Sequence, residues 1–240
     1  MLKRSLSRNL TTAAVFCAVV MAGVLINSRP GQASNDNNGA QDEKEMIQIG
    51  LAFASSVGLQ LNMTGKDPDM VGLGSYMVNV AGDCNGCHTA DPSTEYALRG
   101  NPYLLPGPTP PLFSGIKKIN TATYLGGGSD FGSFGIGPNA EIISRNLTPD
   151  STGRAEGGNT LSDFKQIIRT GVDLDKRHPS CSTTITNNCL TFPFNGALLQ
   201  VMPWPNFQNM TDRQLTAIYT FLSSIPCLEG GPGEPKNRCK

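Results

Sequence analysis

Cys84, Cys87 and His88 stand together as Cys-Asn-Gly-Cys-His in a chain with only seven cysteines and two histidines in 240 residues. Two thiols three positions apart can each form a thioether to one porphyrin, and the adjacent imidazole is then held against the iron as its proximal ligand. The chemistry this spacing serves is covalent attachment of one haem, haem c, through Cys84 and Cys87, with His88 on the metal. A structural zinc site would need a second close pair of ligands, and Cys181 and Cys189 are too far apart to supply one. A dithiol exchange pair would follow a strand in a βαβ pattern, whereas a helical pattern precedes Cys84.

Those three residues need an element to deliver them. Met70, Leu73, Met77, Val80 and Ala81 recur at helical spacing, Pro68 suits a first turn and Gly82 an end, so the pattern predicts a helix leading into Cys84. Thr160 with Asp163 resembles a capping box ahead of an apolar stripe of Leu161, Phe164, Ile167 and Ile168, closed by Gly171. Thr211 with Gln214 forms a second box, Met210 can staple onto Leu215, and Leu215, Ile218, Tyr219 and Leu222 share a face until Pro226. No strand run or repeat is evident. Residues 91–158 are rich in Gly and Pro, which suits irregular backbone wrapped around an apolar macrocycle; a linker between two domains is the plainer alternative. The fold class is mainly α, with helices and long loops.

The N-terminal segment has a different composition. Lys3, Arg4 and Arg8 precede an apolar run over residues 10–26, and Gly31-Gln32-Ala33 places small residues where a signal peptidase reads. Residues 1–33 therefore read as an export signal cleaved after Ala33, or alternatively as a retained anchor, since the run is at the short limit of a membrane span. Residues 34–67 form an N-terminal extension, with 35–39 disordered and a helix over 41–58 too uniformly apolar to orient. Loss of the first 33 residues removes four of 19 basic residues and none of 19 acidic ones. The mildly acidic remainder excludes nucleic acid as an expected partner. Lys117-Lys118 and Lys176-Arg177, the only basic pairs there, read as solvated surface.

Export also suits Cys181, Cys189, Cys227 and Cys239, an even set for an oxidising compartment. Of three possible pairings, Cys181 with Cys189 and Cys227 with Cys239 are favoured because each closes a short loop without a core of its own.

The segment from Gly74 through Cys84-Asn85-Gly86-Cys87-His88-Thr89 resembles the haem segment of class I cytochromes c. Asn146-Leu147-Thr148-Pro149-Asp150, Asp163-Phe164, Met202-Pro203-Trp204 and Ala217-Ile218-Tyr219 are similar to blocks in the cytochrome c subunits and domains of membrane-bound alcohol and sugar dehydrogenases. The resemblance covers about residues 70–226. It implies a class I cytochrome c fold around one covalently bound haem, a monohaem domain over residues 68–226 and a tail over 227–240. It also implies Met202 as distal iron ligand, 114 positions beyond His88 and just ahead of the last helix, where a loop stiffened by Pro203 and Pro205 can close over the haem. A thioether opposite imidazole raises the potential and suits an electron carrier. His178 is the other histidine available as a ligand, but its polar surroundings read as an exposed loop. Met63, Met70, Met77 and Met210 read as packing or surface residues.

By the same resemblance Asn146 and Thr148 would lie near the haem edge, Gly127 and Gly128 would admit close backbone approach to it, and Trp204 would pack either on the macrocycle or in the core. Arg154 to Gly158 and the Cys181–Cys189 loop depart from the family pattern and could border a partner surface. The expected protein is a periplasmic, exported carrier of single electrons between a dehydrogenase and a terminal oxidase or another cytochrome, and not itself an enzyme. Alternatives are a haem subunit permanently bound to a membrane dehydrogenase, anchored to the periplasmic face of the membrane through its N-terminus or its partner, and an open-site haem protein that binds small ligands.

Overall fold

Helical structure begins earlier than the polar sequence suggests, with α1 running Asp36–Ser56. The run Gln41-Asp42-Glu43-Lys44-Glu45 consists mostly of good helix formers, and the helix extends back through residues expected to be disordered, Asn35 itself lying outside the described residues. The computed structural model describes residues 36–90, 92–103, 117–132, 141–230 and 236–240; the expected signal, residues 1–33, falls outside them. Residues up to Asp42 form one compact unit, of which only the start of α1 is described. Glu43–Lys240 form a second, to which everything below belongs. No helix among the described residues is long and apolar enough to cross a membrane.

Ile47, Gly50 and Ala54 are the buried positions of α1, so the helix has an inward face after all. That face meets α2, Pro68–Tyr76. A Cβ on Gly50 would stand 1.9 Å from the carbonyl oxygen of Gly72, so the two backbones touch directly, and the hydroxyl of Ser75 donates to the Gly50 carbonyl at 2.7 Å. α2 starts as the sequence predicts: Asp67 caps it by accepting from the Asp69 amide, and Pro68 occupies the first turn. Its continuation is a π-helical turn, Met77–Ala81, whose extra residue the spacing of apolar positions did not reveal. Asn79 in that turn donates to the Ser75 carbonyl and accepts from the Tyr124 hydroxyl at 2.6 Å.

Among the described residues, the short α3, Cys84–Cys87, is followed by a single 3-10 turn, Pro92–Thr94, and then by α4, Ala155–Gly158, and α5, Leu161–Thr170. The Thr160–Asp163 capping box forms reciprocally and Gly171 ends α5 in the left-handed conformation at φ 69°. α6 is a single turn, Trp204–Phe207, and α7 spans Asp212–Leu222 behind the Thr211–Gln214 box. α7 lies on α2, and the approach is close: a Cβ on Gly74 would sit 2.0 Å from the Ala217 carbonyl oxygen. Val71, Val78, Tyr124, Leu125, Phe164, Leu215 and Phe221 form the main core where α2, α5, α7 and the 119–125 segment converge. Strand pairing among the described residues is limited to isolated bridges such as Val172 with Leu198. Both expected disulfides are present, Cys181–Cys189 and Cys227–Cys239.

Candidate functional site

The π-helical turn ends at Gly82, whose amide reaches the Met77 carbonyl at 2.9 Å. Asp83 then turns the chain sharply, at φ 44°, into α3. One neighbouring segment holds this pentapeptide along its length. The Leu125 amide donates to Asn85 Oδ1 at 2.8 Å, the Gly127 amide to the His88 carbonyl at 3.0 Å, and the Ser129 hydroxyl to the Thr89 carbonyl at 2.8 Å. Gly127 and Gly128 both have positive φ, but their close approaches are to the backbone at Arg145–Asn146 and to Ala90, respectively. Their role in the structure is to let this segment lie against its neighbours.

His88 Nδ1 lies 2.8 Å from the carbonyl oxygen of Arg145. A carbonyl can only accept, so Nδ1 carries the proton and Nε2 keeps its lone pair, the tautomer a metal-binding imidazole needs. Crowding by protein atoms lowers the pKa of the ring; the contact with the Arg145 carbonyl works the other way and the Arg145 charge adds a little to the lowering. The neutral form is the one that binds metal. Cys84 and Cys87 are free thiols. Burial pushes Cys84 up to about 12, with smaller contributions from Asp83 and Cys87, so it is held as the thiol.

All three residues line one cavity. Met202 lines the same cavity and is packed against the main core. Met77 and Met210 line it as well, and Ile167, Leu215 and Leu222 give it apolar walls. Val201, immediately before Met202, adopts φ 66°, a conformation that costs a β-branched residue roughly 1–2 kcal/mol. The loop that carries Met202 is thus held by its surroundings rather than by local preference. Trp204 does not line the cavity; its indole lies over Gly171, where a Cβ would come within 2.1 Å of the ring.

The rim is polar. The guanidinium of Arg145, whose carbonyl receives His88, pairs with Asp173 at 2.5 Å and with Asp175. Asp173 is buried and also accepts the amides of Asp175 and Lys176. Arg177 and His178 line the cavity too. Both were expected at the surface; the chain after α5 folds back over the cavity, a long-range contact that local polarity does not report. Lys117 keeps its solvent exposure while its ammonium lies 5.5 Å over the Tyr96 ring.

Asn146 also lines the cavity; it accepts from the amide and hydroxyl of Thr148 and donates to the Leu228 carbonyl. Glu156, in the left-handed conformation at φ 49°, lines the cavity with its carboxyl raised in pKa, chiefly by burial. Arg238 also lines it, a residue sequence reading did not single out. The signal available was its position beside Cys239, whose disulfide ties residues 227–239 into a loop.

Two proteins named alcohol dehydrogenase (quinone), cytochrome c subunit, from Gluconacetobacter polyoxogenes and Komagataeibacter europaeus, are similar to this chain. Each is 26% identical over 171 residues, which is 71% of this chain and 25% of the relative. The chain therefore spans about a quarter of the length of the relatives it matches. No family model matches it, and no solved structure matches it.

Proposed function

We propose that the protein is an exported monohaem cytochrome c of class I fold, which carries single electrons between a dehydrogenase and a terminal oxidase or another cytochrome. The observation that carries this reading is the hydrogen bond from His88 Nδ1 to the Arg145 carbonyl, 2.8 Å long, beside two free thiols on the wall of an apolar cavity. This donor set fits a covalently attached haem: Cys84 and Cys87 supply the two sulfurs for thioethers, and His88 supplies an imidazole fixed in the correct tautomer. Met202 is the distal ligand in this reading. When bound, haem supplies one-electron Fe(III)/Fe(II) chemistry.

The chain's residues set how that chemistry is used. The Arg145 carbonyl holds the proximal ring, as a metal-bound imidazole requires of its outer partner. The apolar walls of Ile167, Leu215 and Leu222 would shield the macrocycle from water, and Met202 would supply a thioether ligand, which favours the ferrous state. Export to the periplasm is supported by the basic and apolar run at residues 1–26 and by two disulfides. The similarity to dehydrogenase cytochrome subunits supports a redox protein as partner, either met transiently or bound as a permanent assembly, with electron transfer rather than catalysis as this chain's task.

The test is the mass and visible spectrum of the purified full chain produced in cells that attach haem. The reading predicts a covalent mass gain of one haem and a low-spin spectrum, with a methionine-to-iron band in the ferric state and no response of the ferrous state to carbon monoxide. A high-spin spectrum that binds carbon monoxide would assign the protein to open-site ligand binding instead. Absence of covalent haem would overturn the reading altogether.

A further inference from the structure

Arg145 makes contacts in two directions. Its carbonyl oxygen takes the proton of His88 Nδ1, and the backbone around it is held on that side. The Gly128 amide donates to the Ser144 carbonyl at 2.9 Å and the Leu147 amide to the Leu125 carbonyl at 2.8 Å. Gly127, whose amide bonds the His88 carbonyl, lies so close that a Cβ there would come within 2.4 Å of the Arg145 carbonyl carbon. The side chain of Arg145 reaches elsewhere. Its guanidinium forks between Asp173, at 2.5 Å, and Asp175, and only 4% of the Asp173 side chain is exposed. A carboxylate buried to that degree depends on its partner.

Asp173 belongs to the segment that frames Met202. Its amide donates to the Ala197 carbonyl at 2.8 Å, Val172 bridges Leu198, and the Leu199 amide donates to the Gly171 carbonyl at 2.7 Å, so residues 171–173 are paired with 197–199 just ahead of Met202. Beyond Met202 the indole of Trp204 lies over Gly171. Both flanks of the Met202 loop therefore rest on one short segment, and the buried carboxylate of that segment is fastened to the residue that holds His88. Ile142 clusters with Leu190 and Phe194 as a second contact between the two parts of the chain. Apolar contact is non-directional, whereas a guanidinium forked between carboxylates fixes relative position.

We propose that the Arg145–Asp173 ion pair positions Met202, so that Arg145 serves the proximal ligand with its backbone carbonyl and, through Asp173, the distal ligand with its side chain. The inference rests on the haem-binding reading above. Arg145 and Asp173 are positioning residues, and what they set is the fraction of molecules in which the thioether stays on the iron. A ligand that competes with Met202 binds only where that position is open, so its apparent affinity rises in proportion to the open fraction.

The experiment is a titration of the ferric holoprotein with imidazole at about pH 8, where the free ring is mostly neutral, followed by loss of the methionine-to-iron band. A neutral competitor reports the open fraction with little regard to which charge a substitution removes. Arg145→Gln and Asp173→Ala should each raise the apparent affinity by about tenfold, and Asp173→Asn, which keeps an acceptor for the guanidinium, by less. The double variant Arg145→Gln/Asp173→Ala should exceed neither single one, because one link is broken in all three; effects of independent contacts would multiply. An unchanged affinity in Asp173→Ala overturns the proposal, as does a double variant equal to the product of the singles. An equal rise in Arg213→Gln, whose exposed pair with Glu43 lies outside the cavity wall, overturns it as well. If Asp173→Ala does not fold, Asp173→Asn decides by the same criterion. Wild-type protein without covalent haem would sink the haem-binding reading and this inference with it, whereas the other failures leave that reading standing.

Discussion

The guanidinium of Arg238 donates to the carbonyl oxygen of Asn146 at 2.9 Å, joining two residues far apart in sequence on the wall of one cavity. A second bond runs from the same nitrogen to the Thr148 carbonyl. Hydrogen bonds from a charged donor are worth about 1.5–3 kcal/mol each in measured series, and their loss leaves buried carbonyls behind. Arg238→Ala is expected to lower the unfolding free energy by about 2–4 kcal/mol. Replacing Cys227 and Cys239 by Ser should have a related effect, about 2–3 kcal/mol by the loop-entropy account, because it frees the loop that brings Arg238 in. Denaturant unfolding of each variant checks both, and an Arg238→Ala midpoint equal to wild type would show that the contact contributes nothing.

Gly74→Ala tests the approach of α2 to α7. In an isolated helix the change would stabilise by about 1 kcal/mol, but here the new methyl would stand 2.0 Å from the Ala217 carbonyl oxygen. Neither backbone can yield without moving a helix, so overpacking prevails and a net loss of about 1–3 kcal/mol is expected. Because α2 continues through the π-helical turn into the pentapeptide, the proposed function implies that haem incorporation should fall with stability. A variant more stable than wild type in urea would mean that the helices are not packed as described.

These two contacts mark a boundary in what the sequence discloses. Local chemistry was legible: the Thr160–Asp163 and Thr211–Gln214 boxes, Gly171 as helix end, Pro68 as start and the two short-range disulfides all follow from residue types a few positions apart. What escaped depends on segments distant in sequence. The π-helical turn at Met77 is fastened by Asn79 to Tyr124, His178 is turned inward by the loop closed at Cys189, and Trp204 lies over a glycine at the end of another helix. At the site, Cys84, Cys87, His88 and Met202 do line one cavity, whereas the part played by Arg145 rests on its backbone carbonyl, which residue identity does not signal.

Glu156 gives a pH prediction with a definite sign. Burial is the main cause of its raised pKa, opposed by the hydrogen bond from Asn159 and by Arg145 and Arg238. A carboxyl with a folded-state value above its unfolded one favours folding while protonated, and that contribution is lost as pH rises through the folded value. Above the unfolded-state value the carboxyl is therefore a liability to folding. Glu156→Gln should raise stability at pH 7, and the gain should shrink as pH falls below the folded-state value, which lies above the usual 4.5. Thermal unfolding of both proteins between pH 4 and 8 measures this; a difference that grows toward acid would reverse the sign and refute the argument.

Met202→Ala bears on the distal side of the iron in the proposed function. Val201 at φ 66° and the bonds from the Met202 amide to the Gln200 carbonyl, 2.7 Å, and from the Trp204 amide to the Met202 carbonyl, 2.8 Å, fix the backbone on both sides of this residue. Truncation thus removes the thioether without releasing the loop. A thioether opposite imidazole favours ferrous iron, so the variant should have a lower reduction potential, lose the methionine-to-iron band and bind carbon monoxide when reduced. Met77 and Met210 line the same cavity and are the nearest rivals for the iron, so Met77→Leu and Met210→Leu belong beside it and should leave band and potential as they are. If Met202→Ala keeps both while one of the leucine variants loses them, the distal ligand is that methionine, and the loop after Val201 serves only to close the cavity.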